Sequence, residues 1–199
     1  MYRTVTAAIC LLFAVIPVAG AEAQTSPSEI RQMLQDRDSE IKRILGDRET
    51  FSPEQKENLK NVINGIIDFE TMGKNALGPH WDDLTSEQQS HFVEVFSDIV
   101  RSHSLSNLDV YRSRVTYSDI QVNGSSATVV TSTIYKDVPA RVVYDMLFRR
   151  GDWFISDIIL DDVSTTEGYS RSFQSVIRKR GFDALMSSLE RRRERERTS

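Results

Sequence analysis

The chain changes its hydrophobic period twice. Up to about residue 108 apolar residues recur every three or four positions. From Val115 to Leu160 they tend to alternate with polar ones, and beyond Val163 the helical spacing returns. In the first part, Ser26-Pro27 reads as a helix start, with Ser as N-cap and Pro at the first helical position. Ile30, Met33, Leu34, Ile41, Ile44 and Leu45 follow on one side, and Gly46 closes the run. Ser52-Pro53-Glu54-Gln55 repeats the start signal as a capping box, ahead of the stripe Leu59, Val62, Ile63, Ile66 and Ile67. Asp68 is placed to cap a short helix holding Phe69, Met72 and Leu77, stopped by Gly78-Pro79. Thr85-Ser86-Glu87-Gln88 is a further capping box, opening a long helix with Phe92, Val95, Phe96, Ile99 and Val100 on one side.

The middle reads as strands over Val115–Val122, Ala127–Tyr135, Ala140–Arg149 and Trp153–Leu160, with Asn123-Gly124 and Arg150-Gly151-Asp152 as turns. Short turns between sequential strands predict an antiparallel meander. On the third strand Val142, Tyr144, Met146 and Phe148 share one face, because successive side chains alternate. Arg141, Asp145 and Arg149 share the other, interrupted by Val143 and Leu147. The second strand puts Val129, Thr131, Thr133 and Tyr135 together. The sheet therefore has one strongly apolar face, expected to curl around helices. Two helical pieces follow. One carries Tyr169, Phe173, Val176 and Ile177 and ends in Arg178-Lys179-Arg180 and Gly181, cations suited to the negative end of a helix. The other carries Phe182, Leu185, Met186 and Leu189 and runs into the charged stretch Arg191–Arg197. The fold class expected is α+β, with a curved antiparallel sheet of about four strands packed against several helices.

Composition changes this picture at the N-terminus. Arg3 is followed by an apolar run from Val5 to Val18, too short to span a bilayer comfortably, and then by Ala19-Gly20-Ala21 and Ala21-Glu22-Ala23, which fit a small-x-small cleavage site. Residues 1–23 are expected to be a signal peptide cut near Ala23, residues 24–190 the α+β domain and residues 191–199 a charged tail; an uncleaved anchor is the rival reading. Cys10, the single cysteine, falls inside the leader, so the mature chain has neither thiol nor disulfide. Exported yet free of disulfides, it suits a bacterial periplasm and a domain large enough to fold without staples. A net charge of −4 argues against nucleic-acid binding. The apolar fraction of 39% includes the leader, so a large solid core is not demanded.

Candidate chemistry is sparse. His80, His91 and His103 lack metal-ligand spacing, and His103 between Ser102 and Ser104 has no triad geometry. Asp82-Asp83 and Asp161-Asp162 read first as turn and cap residues. Asp157 is more unusual, lying inside an apolar strand. It reads first as a hydrogen-bonded structural carboxylate, paired with an arginine such as Arg171, and second as a general base in a pocket. Met72, Met146 and Met186 on apolar faces suit a core, or a cavity with irregular contents. The arginine-rich tail reads as a solvated helix end, with docking to an anionic membrane or acidic partner as the alternative. Phosphate loops, nucleophile elbows and zinc motifs are absent, so neither enzyme activity nor a cofactor is expected.

Two blocks of residues carry a resemblance. The first is Ala76-Leu77-Gly78, Trp81, Leu84-Thr85, Glu87-Gln88, Phe92 and Phe96. The second is Trp153, Asp157, Asp162-Val163-Ser164, Tyr169, Phe173, Gly181-Phe182-Asp183 and Leu185. In this order and spacing, from about Ser28 to Leu189, the chain resembles the MlaC family of periplasmic phospholipid-binding proteins, also called the toluene-tolerance or auxiliary ABC-transport family. The Asp161-Asp162 pair departs from the commoner Glu-Gly before Val-Ser. The resemblance implies a cone shaped like nuclear transport factor 2 around an apolar cavity for acyl chains. It also implies a carrier shuttling phospholipid between an outer-membrane lipoprotein–porin complex and an inner-membrane ABC transporter with an MCE subunit, so keeping the outer membrane asymmetric. A branch associated with hopanoid loci keeps another lipid as the alternative cargo, and a small enzyme on the same cone using Asp157 is the other alternative. On this reading the lipid-binding residues are Val142, Tyr144, Met146, Phe148, Val129 and Ile155 from the sheet, with Phe96, Tyr111 and Phe173 from the helical side.

Overall fold

The structure, a computed structural model, describes residues 26–198; the expected leader, its cleavage site and Cys10 lie outside the described residues. The N-terminal helices are α1 (Pro27–Leu45), α2 (Pro53–Asn64), α3 (Phe69–Leu77) and α4 (Ser86–Ser104). Each begins where the caps demand. Ser26, Ser52 and Thr85 form full capping boxes with Glu29, Gln55 and Gln88, and the Asp68 side chain accepts from the Thr71 N–H. Then come β1 (Val115–Asn123), β2 (Ser126–Tyr135), β3 (Val138–Arg149), β4 (Asp152–Leu160) and β5 (Val163–Ser164), followed by α5 (Thr165–Arg180) and α6 (Phe182–Arg197). The α+β class is as expected.

The strands form one antiparallel sheet in sequence order, β1-β2-β3-β4-β5. The fifth strand was not expected, because its two residues are too short to show a period. It exists because Asp161 and Asp162 both take positive φ (+45° and +65°) and fold the chain straight back on β4. Aspartate tolerates that region better than most residues. Asp161 also exchanges backbone and side-chain hydrogen bonds with Arg141, and the Arg141 guanidinium reaches Asp162 at 3.0 Å, so the turn is pinned to β3.

Two bulges bend the sheet. Ser118 is the extra residue of β1 between Tyr117 and Asp119, and Ser156 that of β4 between Ile155 and Asp157. An unpaired extra residue bends its strand and increases the local twist. At the second bulge the Ile155 N–H donates to Ile66 and its carbonyl accepts from Asp68, so the α2–α3 connection closes the outer edge of β4.

Burial falls into three apolar clusters. One lies between α3, α4, α5 and α6, with Phe92, Phe96, Trp81, Phe173, Leu185 and Leu189. Gly73 makes its α3–α4 contact possible, since a Cβ there would sit 3.0 Å from the Phe92 ring. A second joins the inner sheet face (Ala127, Val129, Met146, Trp153, Ile155) to Ile30 and Leu34 of α1 and to Ile66. The third packs α1 on α2, with Leu105, Leu108 and Tyr111 against it.

Candidate functional site

The register fixes which side chains share the inner face of the sheet. Val129 stands opposite Tyr144, Thr131 opposite Val142, Ala127 opposite Met146, and across the next ladder Val142 meets Leu160, Tyr144 meets Ile158 and Met146 meets Ile155. The expected sheet residues are thus brought together. Val129, Met146 and Ile155 are buried against α1. Val142 and Tyr144 are half-buried, as are Ile158, Tyr117 and Ile120 beside them. Phe148 lies at the rim, partly exposed, its ring 5.4 Å from that of Trp153. Towards Val142 and Leu160 the inner face keeps its apolar character but loses its cover: Leu160 is 50% exposed and Val163 61%.

The helical candidates divide. Tyr111, in the short segment Leu108–Arg112 after α4, belongs to the third cluster and lies near Tyr144. Burial, with a small contribution from Tyr144, pushes its hydroxyl up to about 12. Burial likewise raises Tyr117 and Tyr144 above the ordinary tyrosine value. All three groups stay neutral on this side of the sheet. Phe96 is elsewhere. It is fully buried among the helices, stacked 5.6 Å from Phe92 and edge-on to Tyr169 at 5.1 Å. Phe173 shares that cluster but also lines a cleft.

This cleft, of about 800 Å³, lies where β4 and β5 meet α5 and α6. That is at the upper end of the roughly 300–1,000 Å³ usual for ligand pockets. Leu160 and Val163 form its sheet side, Tyr169, Phe173 and Val176 its α5 side and Leu189 its α6 side, with Arg192 and Arg195 also on its wall. Apart from Phe173, these residues were not among the sequence candidates. The signal that could have found them is the pair Leu160 and Val163, apolar residues on either side of a turn. They become cross-strand partners once β5 is recognised.

Asp157 lies on the opposite face. The bulge at Ser156 pairs it with Asp145, away from Ile155 and Ile158. Its carboxylate accepts from the Thr166 N–H at 3.0 Å, the Thr166 hydroxyl at 2.8 Å and the Ser164 hydroxyl, so it secures the first turn of α5. The expected pairing with Arg171 is not made: that side chain pairs instead with Glu167, one helical turn away at 3.6 Å. Asp157 therefore closes the β5–α5 joint without an arginine. The arginine-rich stretch is the end of α6. Arg193 and Arg197 pair with Glu94 and Asp98 of α4, and Glu190 with His91 at 2.8 Å. No helix among the described residues is long and apolar enough to cross a membrane.

A search of curated proteins finds no match. Among solved structures, the chain is similar to a phospholipid-binding protein from Ralstonia solanacearum, determined in complex with a phospholipid. The TM-score is 0.69 and the identity 20%, over 88% of this chain and 99% of that one, a likeness of fold. The family model described as MlaC protein matches residues 31–191. That family is periplasmic and consists of lipid carriers, not enzymes. The match takes in most of α1, every helix and strand from α2 to α5 and more than half of α6, and the chain belongs to the MlaC family.

Proposed function

We propose that this protein is a periplasmic carrier that holds the acyl chains of a phospholipid against the inner face of its sheet. The observation that carries the reading is the unfinished cover of that face. Val142, Tyr144 and Ile158 are apolar or neutral and only half-buried, and they lead to exposed Leu160 and Val163 at a cleft large enough for a ligand. Val142, Tyr144, Met146, Phe148, Val129 and Ile155 are the proposed sheet contacts, with Tyr111 beside them and Phe173 on the cleft wall. Phe96 contributes by supporting Phe173. The phospholipid bound by the similar Ralstonia protein supports the cargo class.

The carrier solves a solubility problem. Each buried methylene is worth about 0.8 kcal/mol, so two long chains lose on the order of 20 kcal/mol when exposed to water. A cavity removes most of that barrier without nucleotide or catalytic group. In this reading the chain is exported by a leader cut near Ala23. It then shuttles lipid between an inner-membrane ABC transporter carrying an MCE subunit and an outer-membrane lipoprotein–porin complex, maintaining outer-membrane asymmetry. Native mass spectrometry of the purified protein tests the carriage step, with a co-purifying diacyl lipid as the expected result. A chain that stays empty after incubation with phospholipid vesicles would overturn the proposal.

A further inference from the structure

The last helix sorts its arginines by direction. Arg193 and Arg197 face α4 and are neutralised there by Glu94 and Asp98. Arg192 and Arg195 line the cleft, one turn apart, so their Cβ atoms are about 5–6 Å from each other. The Arg192 guanidinium is held from behind: its Nε donates to Glu196 at 2.8 Å, while its two terminal nitrogens make no hydrogen bond among the described residues. The carboxylate lining the cleft, Asp161 in the β4–β5 turn, already accepts from the Arg141 N–H. The rest of the wall includes Leu160, Val163, Tyr169, Phe173 and Val176, with Leu160 and Val163 among the most exposed large apolar side chains described.

An apolar cleft with two guanidinium groups on one wall matches an amphiphile with an anionic end. We propose that Arg192 and Arg195 form the headgroup site of this carrier, binding the phosphate of the lipid while its chains lie against Leu160, Val163 and Phe173. This rests on the carrier reading above and adds polarity to it: the phosphate sits under α6 and the chains point towards the sheet. A guanidinium offers paired N–H groups that match phosphate oxygens, and a half-dry site strengthens that bond. Glu196 fixes the orientation of Arg192, as a positioning residue.

The test is a competition. The full-length mature protein is incubated with vesicles containing phosphatidylglycerol, phosphatidylethanolamine and diacylglycerol of identical chains, repurified, and its lipid quantified by mass spectrometry. The wild type is expected to take the two phospholipids over diacylglycerol. Arg192→Gln with Arg195→Gln is expected to reduce that preference roughly tenfold or more while total lipid per protein is retained. Arg193→Gln, which faces α4, is the control and should keep the wild-type preference. Inorganic phosphate alone, added in millimolar excess, should not displace bound lipid. A folded, lipid-loaded double variant with unchanged preference overturns the headgroup site and leaves the carrier reading standing. Displacement of lipid by inorganic phosphate also overturns it, by making the arginines a free-phosphate site. A wild type that takes up no lipid overturns both.

Discussion

Replacing Asp157 with alanine should loosen the joint between the sheet and α5 without emptying the cavity. The carboxylate satisfies the buried Thr166 through its N–H and hydroxyl and orients the Ser164 hydroxyl, which in turn accepts from the Glu167 N–H at 3.0 Å. Hydrogen bonds to a charged group are worth about 1.5–3 kcal/mol each, and a lost helix cap costs about 1 kcal/mol. Asp157 is only half-buried, so water replaces part of what is removed. A net loss of about 2–4 kcal/mol follows, or a fall in Tm of roughly 5–12 °C for a domain of this size. Asp157→Asn retains one acceptor oxygen for Thr166 and should lose about half as much. Urea unfolding followed by circular dichroism measures the change, and lipid extraction from the same samples measures occupancy. Because Asp157 faces away from Ile155 and Ile158, lipid per folded protein should match the wild type. A stability within about 0.5 kcal/mol of the parent would refute the capping argument. Lost occupancy at unchanged stability would place the carboxylate in the lipid site instead.

Val142→Asp puts a charge on the half-buried inner face between Thr131 and Leu160 and should abolish lipid carriage while the far-ultraviolet spectrum stays near wild type; normal occupancy in native mass spectra would remove this residue from the site. Phe96→Ala opens a cavity in the helix cluster beside Phe92, Tyr169 and Phe173, and should cost about 3–5 kcal/mol in chemical denaturation, whereas a cost under about 1 kcal/mol would mean that Phe96 faces open space. Tyr111 ionises near 10 when unfolded and at about 12 when folded, so the folded state holds a proton that the unfolded state has lost between those values. The stability that neutral Tyr111 contributes is thus intact below about pH 10 and lost as pH rises towards about 12. Spectrophotometric titration of Tyr111→Phe against wild type should lack one late-ionising tyrosine, and loss of an early-ionising one would contradict the placement.

The helices were legible because their ends are written in side chains. Ser26-Pro27, Ser52-Pro53, Asp68 and Thr85 each cap where they stand, and Gly46 and Gly78 stop α1 and α3. The sheet was legible from turns and alternation, with Gly124 at a positive φ opening the first hairpin. The proposed site was legible only along β3, where every second residue from Val142 to Phe148 is apolar. Periodicity marks a residue as apolar-facing but does not say which apolar neighbour it meets. Phe96 and Tyr111 both lie on apolar stripes, yet one joins the helix cluster and the other approaches Tyr144. The cleft was hidden for another reason. It needs β5, two residues long, and an α6 that continues through the charged stretch to Arg197, and neither has a period to read. The ion pairs holding that stretch join residues 99 positions apart, beyond the reach of local pattern.

The bulge in β4 also governs which changes of chain length the sheet can absorb. Strict alternation from Trp153 and Ile155 would carry Asp157 inward, and the extra residue Ser156 turns it out. Removing Ser156 would therefore leave Trp153, Ile155, Asp157 and Ile158 each on its present side. Removing Phe154 would reverse one end of the strand against the other. A deletion at Ser156 is consequently the tolerable one for sidedness, but it straightens the strand and withdraws the Ile155 backbone from Ile66 and Asp68. Between relatives of differing length, a gap at this serine would leave the inner face apolar and alter the seating of the helices on the sheet.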